Sequence, residues 1–183
     1  SSGGSACNSI IAASYFGAET FYSCKVANDD NGQFFQNDTQ AAGVNTSKHP
    51  LPEGTTGKCL VMITPDAERT MNTFLGISAE LDESQINEAA IHRSEYVYIE
   101  GYLVTSPTGK QAAIKVRQIA EKNNVKTAIS LSDPGMVQFF SDGLQEMIGE
   151  QVDLLFCNQD EAFGWTGKDN IEQAVEEMKK TAK

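Results

Sequence analysis

The sequence predicts an α/β fold built on a mainly parallel sheet, and three observations carry that prediction. From residue 82 onward, apolar runs of strand length alternate with amphipathic segments of helix length across short connections. Three of these runs, Val97-Tyr98-Ile99, Thr127-Ala128-Ile129 and Leu154-Leu155-Phe156, are near-continuously apolar, the pattern of parallel strands covered on both faces. Each is followed by a polar cluster: Glu100-Gly101, Ser130-Leu131-Ser132-Asp133-Pro134 and Asn158-Gln159-Asp160-Glu161. Parallel sheets bind ligands at the carboxyl ends of their strands, so these clusters are the first places to look for chemistry.

The elements follow in order. Ser1-Ser2-Gly3-Gly4-Ser5 leads directly into a helical pattern in which Ile10, Ile11, Ser14 and Tyr15 share a face. Residues 19–26 read as a strand, and residues 29–43 as a helix closed by Gly43. Residues 44–57 are polar, hold two prolines and read as a loop. Residues 58–64 and 69–76 are two short strands, and Pro65-Asp66-Ala67-Glu68 between them is turn chemistry, so the pair is a hairpin. Alternation through Met71, Thr73 and Leu75 predicts that one of its faces is covered. Then come helix 82–94, strand 96–100, helix 110–122, strand 126–131, helix 136–148, strand 153–157 and a last helix over 170–181.

A length of 183 residues, 40% hydrophobic and 21% charged, is that of one soluble globular domain able to bury a core without staples. No apolar stretch approaches the ~20 residues of a membrane helix. Fourteen basic residues face 25 acidic ones for a formal net charge of −11. Such a field argues against nucleic acid and anionic membrane as partners, but a few oriented backbone N–H groups still suffice for a small anion. Cys7, Cys24, Cys59 and Cys157 have no metal-ligand spacing and read as buried, reduced thiols of a cytoplasmic protein. The two histidines, His49 and His92, stand far apart in sequence. His92 reads as structural.

Thr56-Gly57-Lys58, Thr108-Gly109-Lys110 and Thr166-Gly167-Lys168 lack both the upstream glycine and the downstream hydroxyl of a P-loop, and read as turns or helix starts. Gly3-Gly4-Ser5-Ala6-Cys7-Asn8 opens a helix whose first N–H groups are free to donate. Two glycines allow a ligand close to the backbone, and an asparagine both donates to and accepts from vicinal hydroxyls. A flexible leader before a capped helix accounts for the same residues. Asn158 and Glu161 are spaced to share one side of a helical turn, where they could hold a hydrated Mg²⁺; equally they are a capping box. Glu100 could bind substrate hydroxyls or pair with a basic side chain, and Asp133 could cap the next helix.

Taken in order, Gly3-Gly4-Ser5-Ala6-Cys7-Asn8, Gly17, Asp29-Asp30-Asn31-Gly32, the hairpin around Pro65–Arg69, Tyr98-Ile99-Glu100-Gly101-Tyr102, Ser132-Asp133-Pro134 and Asn158–Glu161 resemble the ribokinase-like (PfkB-type) carbohydrate and nucleoside kinases. The resemblance spans essentially the whole chain, and the wording of the first motif and of the hairpin is most similar to adenosine-kinase-type members. It implies a three-layer α/β sandwich over 1–183 with a small β lid at about 58–76, and transfer of the ATP γ-phosphoryl to a primary hydroxyl with Mg²⁺. By the same resemblance Gly4, Ser5 and Asn8 contact sugar hydroxyls, with Glu100 at a further sugar-binding position. Asn158 and Glu161 organise Mg²⁺, water and phosphate, Arg69 makes a charge contact under the lid, and the lid supports homodimer contacts. Ala27 departs from the family, many of whose members have glycine there. The Gly-Ala-Gly-Asp motif that carries the family's catalytic aspartate and anion hole is not in the sequence. The resemblance therefore describes an internal segment of a kinase, incomplete at both ends and without its general base. A non-catalytic sugar- or nucleoside-binding module, a ribose- or fructose-type kinase and an unrelated flavodoxin-like protein are the alternatives.

Overall fold

Lys126–Ser130 alternates small and branched side chains and is flanked in sequence by two helices, which makes it suited to the middle of a parallel sheet. The computed structural model, which describes residues 1–47 and 50–183, places it there. His49 lies outside the described residues. The chain divides into two compact units, Ser1–Leu81 and Asp82–Lys183.

In the second unit, β5 (Tyr96–Glu100), β6 (Lys126–Ser130) and β7 (Leu154–Phe156) form a sheet in that order, parallel throughout; β1 to β4 belong to the first unit and are described below. The register sets Glu100 opposite Ser130 and Ser130 opposite Phe156, so the three carboxyl ends are level. This is the parallel arrangement the sequence predicts. A short helix, α3 (Glu88–Ile91), leads to β5, and α4 (Pro107–Lys122) and α5 (Pro134–Ile148) are the crossovers. Ser106 caps α4 with Pro107 in its first turn, and Asp133 caps α5 by accepting from Gly135 N–H at 2.7 Å. Ile99, Ile129, Leu131, Val137, Leu144, Met147 and Ile148 form the core between sheet and helices. Gly143 lets α5 approach, because a Cβ there would stand 2.5 Å from Val104. After β7 come α6 (Gln159–Thr166) and α7 (Ile171–Met178), and Val152 forms a parallel bridge with Ala182.

The first unit opens with α1 (Ser5–Tyr15), followed by a βαβ unit in which β1 (Thr20–Tyr22) and β2 (Val44–Thr46) pair in parallel across α2 (Asp30–Ala41). The hairpin is β3 (Lys58–Ile63) against β4 (Arg69–Phe74), antiparallel from Lys58 opposite Phe74 to Ile63 opposite Arg69. It forms a sheet of its own. Asp29 ties this unit together. Its carboxylate accepts from Gly32 N–H at 2.8 Å and Thr56 N–H at 2.9 Å and from the Thr56 hydroxyl, which in turn accepts from Ala27 N–H at 3.0 Å. A Cβ on Gly32 would collide with the Ala27 carbonyl, so this turn requires glycine at 32 and accommodates alanine at 27.

Several expectations are corrected. The strand expected over 19–26 keeps three residues, because Lys25 turns to the 3₁₀ segment Gly76–Glu80, accepting from the Ser78 hydroxyl and donating to the Glu80 carbonyl. The loop expected over 44–57 opens with a strand, β2. The helix expected over 82–94 is a 3₁₀ turn, Glu83–Gln85, and α3, because Asp82 and Asn87 each start a new turn by capping it. Both faces of the hairpin are exposed along its whole length, against the expected covered face. Helices cover one face of the three-stranded sheet, while Tyr96, Tyr98, Leu154 and Phe156 on the other are exposed. Cys59 and Cys157 are exposed rather than buried; only Cys7 is fully buried. Burial raises Cys7 to about 11, with Asp38 adding to it, and Cys24 to about 12. Gly167 lies in a turn, as expected, and closes α6 in the left-handed conformation.

Asp153 locks β7 to β6 by accepting from Thr127 N–H at 2.8 Å and from its hydroxyl at 3.2 Å, and Lys183 adds an ion pair at 3.1 Å. The Thr127 N–H is the main reason its carboxyl titrates below the usual range. Stabilisation from such a depressed group is complete above the unfolded value of about 3.9 and is lost as pH falls through the folded value. Asp153→Ala should therefore cost about 1.5–3 kcal/mol at neutral pH, as for loss of hydrogen bonds to a charged acceptor. Denaturant melts of variant and wild type should converge in acid.

Candidate functional site

Two groups of the residues singled out by sequence lie on separate elements of the two units. In the first unit, Gly4 is the N-cap of α1 with φ 105° and ψ 149°, a conformation open essentially only to glycine. No side chain caps the helix. The first-turn N–H groups are therefore left for a ligand or water. Ser5 and Asn8 are exposed on the opening turns, and the space where a Gly3 or Gly4 Cβ would stand is empty. Asn8 uses its backbone N–H in the helix, donating to the Gly4 carbonyl at 2.9 Å, and its side chain satisfies no helix-end group. Arg69 lies at the turn end of the hairpin, opposite Ile63, exposed on β4.

In the second unit, Glu100, Ser132, Asn158 and Glu161 stand at the level carboxyl ends of the sheet. Glu100 is buried, 8% exposed, and each of its carboxylate oxygens accepts one hydroxyl: Tyr98 at 3.0 Å and Ser132 at 3.0 Å. Asn158 and Glu161 form the reciprocal cap that their spacing allows. Asn158 Oδ1 accepts from Glu161 N–H at 2.8 Å, Glu161 Oε2 accepts from Asn158 N–H at 3.1 Å, and the Asn158 amide donates to Glu161 Oε1 at 2.8 Å. Burial raises the Glu161 carboxyl above its usual range, and the charges of Asp133 and Asp160 push the same way. Tyr102 is raised by burial and by Asp133, Glu100 and Glu161. His92 is an exposed residue at the end of α3.

Sequence reasoning passed over Tyr98 and Ser132 as partners of Glu100. The two-residue offset of Tyr98 from Glu100 on one strand was a usable signal, because residues i and i+2 share a face. Ser132 was reachable only through the sheet register.

The hard oxygen donors of Asn158 and Glu161 suit a hydrated Mg²⁺ held through water. No cluster of three or more metal-ligating side chains occurs among the described residues, so they offer no all-protein cage.

A profile of the pfkB family carbohydrate kinases matches residues 1–183. The chain belongs to this family. The pfkB fold is matched over the whole chain by the crystal structure of adenosine kinase from Sinorhizobium meliloti, 32% identical with a TM-score of 0.93, of which the chain covers 57%. Among curated pfkB relatives, 5-dehydro-2-deoxygluconokinase of Halalkalibacterium halodurans is 29% identical over 133 residues, 70% of this chain and 40% of that protein. Adenosine kinase of Schizosaccharomyces pombe is 24% identical over the full chain and 57% of its own length. The chain thus spans about half the length of the relatives it matches. No helix among the described residues is long and apolar enough to cross a membrane.

Glu161→Gln removes a buried charge and keeps one of the two acceptors that Asn158 uses. A carboxyl whose folded value is raised makes the ionised protein less stable, and stability rises as pH falls through that value. The Tm difference, variant minus wild type, should therefore be more positive at pH 8 than in mild acid. Glu161→Ala should lose about 1 kcal/mol by thermal or denaturant unfolding.

Proposed function

We propose that this chain forms the substrate-binding part of a kinase that transfers the γ-phosphoryl of ATP to a primary hydroxyl of an uncharged nucleoside or sugar, adenosine foremost. The observation that carries this reading is the charge of the sheet's carboxyl edge. Its three polar clusters hold Glu100, Asp133, Asp160 and Glu161 and no lysine or arginine. A carboxylate edge accepts hydroxyl donors and repels an anionic substrate. The likeness to adenosine kinases over the whole chain points the same way.

In this reading the uncapped first turn of α1 presents backbone N–H groups, Ser5 and Asn8 to vicinal hydroxyls, and Gly4 leaves room for the sugar. Glu100 accepts further hydroxyls. Asn158 and Glu161 would hold, through water, the Mg²⁺ that neutralises phosphate charge in this chemistry. The hairpin serves as the lid, with Arg69 as its charge contact. A second copy of the chain meets the exposed apolar side chains Leu60, Ile63, Met71 and Phe74.

A second reading is favoured by the curated 5-dehydro-2-deoxygluconokinases, whose name points to a sugar acid. One screen separates the two. The full gene product, assayed by coupled ADP release over adenosine, ribose, fructose and a gluconate-type acid, should turn over an uncharged compound. Turnover confined to the acid overturns the reading.

Asn8→Ala should remove two hydrogen bonds to neighbouring hydroxyls. At about 1–3 kcal/mol for each group left unpaired, kcat/KM should fall by roughly one to several powers of ten. Because the side chain caps nothing, Tm should stay within about a degree of wild type. A lowered Tm with unchanged efficiency takes Asn8 out of the site.

A further inference from the structure

We propose that Ser132 is a positioning residue that fixes the carboxylate of Glu100 for substrate hydroxyls, an inference that rests on the substrate-binding reading of Glu100. Ser132 has φ 73°, in the left-handed region that a residue with a Cβ seldom occupies. Such conformations persist where the surroundings hold them, and they concentrate at functional sites. Here three contacts hold it. Its N–H donates to the Ser130 hydroxyl at 3.0 Å, its carbonyl accepts from the Tyr102 hydroxyl at 3.1 Å, and its own hydroxyl donates to Glu100 Oε2 at 3.0 Å. A longer contact at 3.4 Å runs from that hydroxyl to the Ser130 carbonyl.

The arrangement pins a side chain that is otherwise mobile. Glu100 has rotatable bonds between its strand and its carboxylate, and its two oxygens are gripped from different places: Tyr98 from its own strand, Ser132 from the segment after the neighbouring strand. A carboxylate offers about four acceptor positions, so these two bonds leave lone pairs for hydroxyl donors while fixing where they point. Gly101 makes the approach feasible, because a Cβ there would stand 2.6 Å from the Ser130 carbonyl. The glycine after Glu100 and the left-handed serine after β6 thus bring one carboxylate and one hydroxyl together across two strand ends. Binding groups held in place before the substrate arrives lose less entropy when it binds, and the gain falls on substrate affinity.

The test is steady-state kinetics on the full gene product, using the uncharged substrate found by the screen. Ser132→Ala should raise KM for that substrate about tenfold, with KM for ATP and kcat within about twofold of wild type. Ser132→Gly relaxes the left-handed backbone but also lacks the hydroxyl, so it should raise KM as much. In a Glu100→Gln background, where KM is already raised, Ser132→Ala should add little. Should Ser132→Ala fail to fold, Ser132→Gly carries the comparison. Wild-type KM in both serine variants overturns the inference, as does wild-type KM in Ser132→Gly alone, which would assign the position to backbone conformation. A raised KM in Glu100→Gln with unaffected serine variants overturns the role of Ser132 only. Wild-type KM in Glu100→Gln overturns the reading of Glu100 and the inference with it.

Discussion

The register of β6 against its two neighbours is the constraint on which the second unit depends. Glu100, Ser130 and Phe156 lie in one row, so the segments that leave β5, β6 and β7 all start from the same level. A slip of one residue on either side would turn every side chain of that strand to the opposite face. Glu100 would leave the edge, and the apolar side chains that fill the core against α4 and α5 would point away from it. Asp153 guards against that slip at the far end by binding the backbone and side chain of Thr127. The polar chemistry at one end of the sheet and the polar lock at the other are thus two results of one alignment.

The first unit has its own organising contact. Asp29 starts α2 and at the same time gathers the Thr56 segment, while the missing side chain of Gly32 lets the Ala27 carbonyl come close. Short strands such as β1 and β2 contribute few ladder bonds, so side-chain-to-backbone bonds carry much of the order here. The bare glycine start of α1 belongs to this unit too. A glycine cap forgoes a few tenths of a kcal/mol that serine or aspartate at the cap would supply. That sacrifice is intelligible where the free N–H groups are meant for something else.

How much of this was legible in the sequence depended on what fixed each element. β5 and the hairpin were readable nearly to the residue, because length, apolar runs and turn chemistry agree there. The segment 82–94 was misread because its apolar spacing resembles a helix while Asp82 and Asn87 break it by capping. β2 was missed because three residues with a central asparagine carry too little pattern. At the candidate site, the N-x-x-E spacing supported both a cap and a phosphate-site reading, and the capping bonds are present. The capped helix of the leader alternative is not met, since Gly4 stands at the N-cap and no side chain caps α1. The Ser132–Glu100 contact joins residues 32 apart in sequence, and no local pattern encodes it.

One feature of the sheet has a colloidal consequence. Among the described residues β7 pairs with β6 within its sheet, and Leu154 and Phe156 are exposed on it. The tail covers the entry to this edge, through the bridge from Val152 to Ala182. Backbone groups on the other side of β7 can pair with a further strand, of this protein or of a second copy, and proteins commonly keep unwanted strands apart by charge. Here the formal net charge of −11 provides that repulsion at neutral pH. For these 183 residues the formal charge vanishes near pH 4.6, and that repulsion with it.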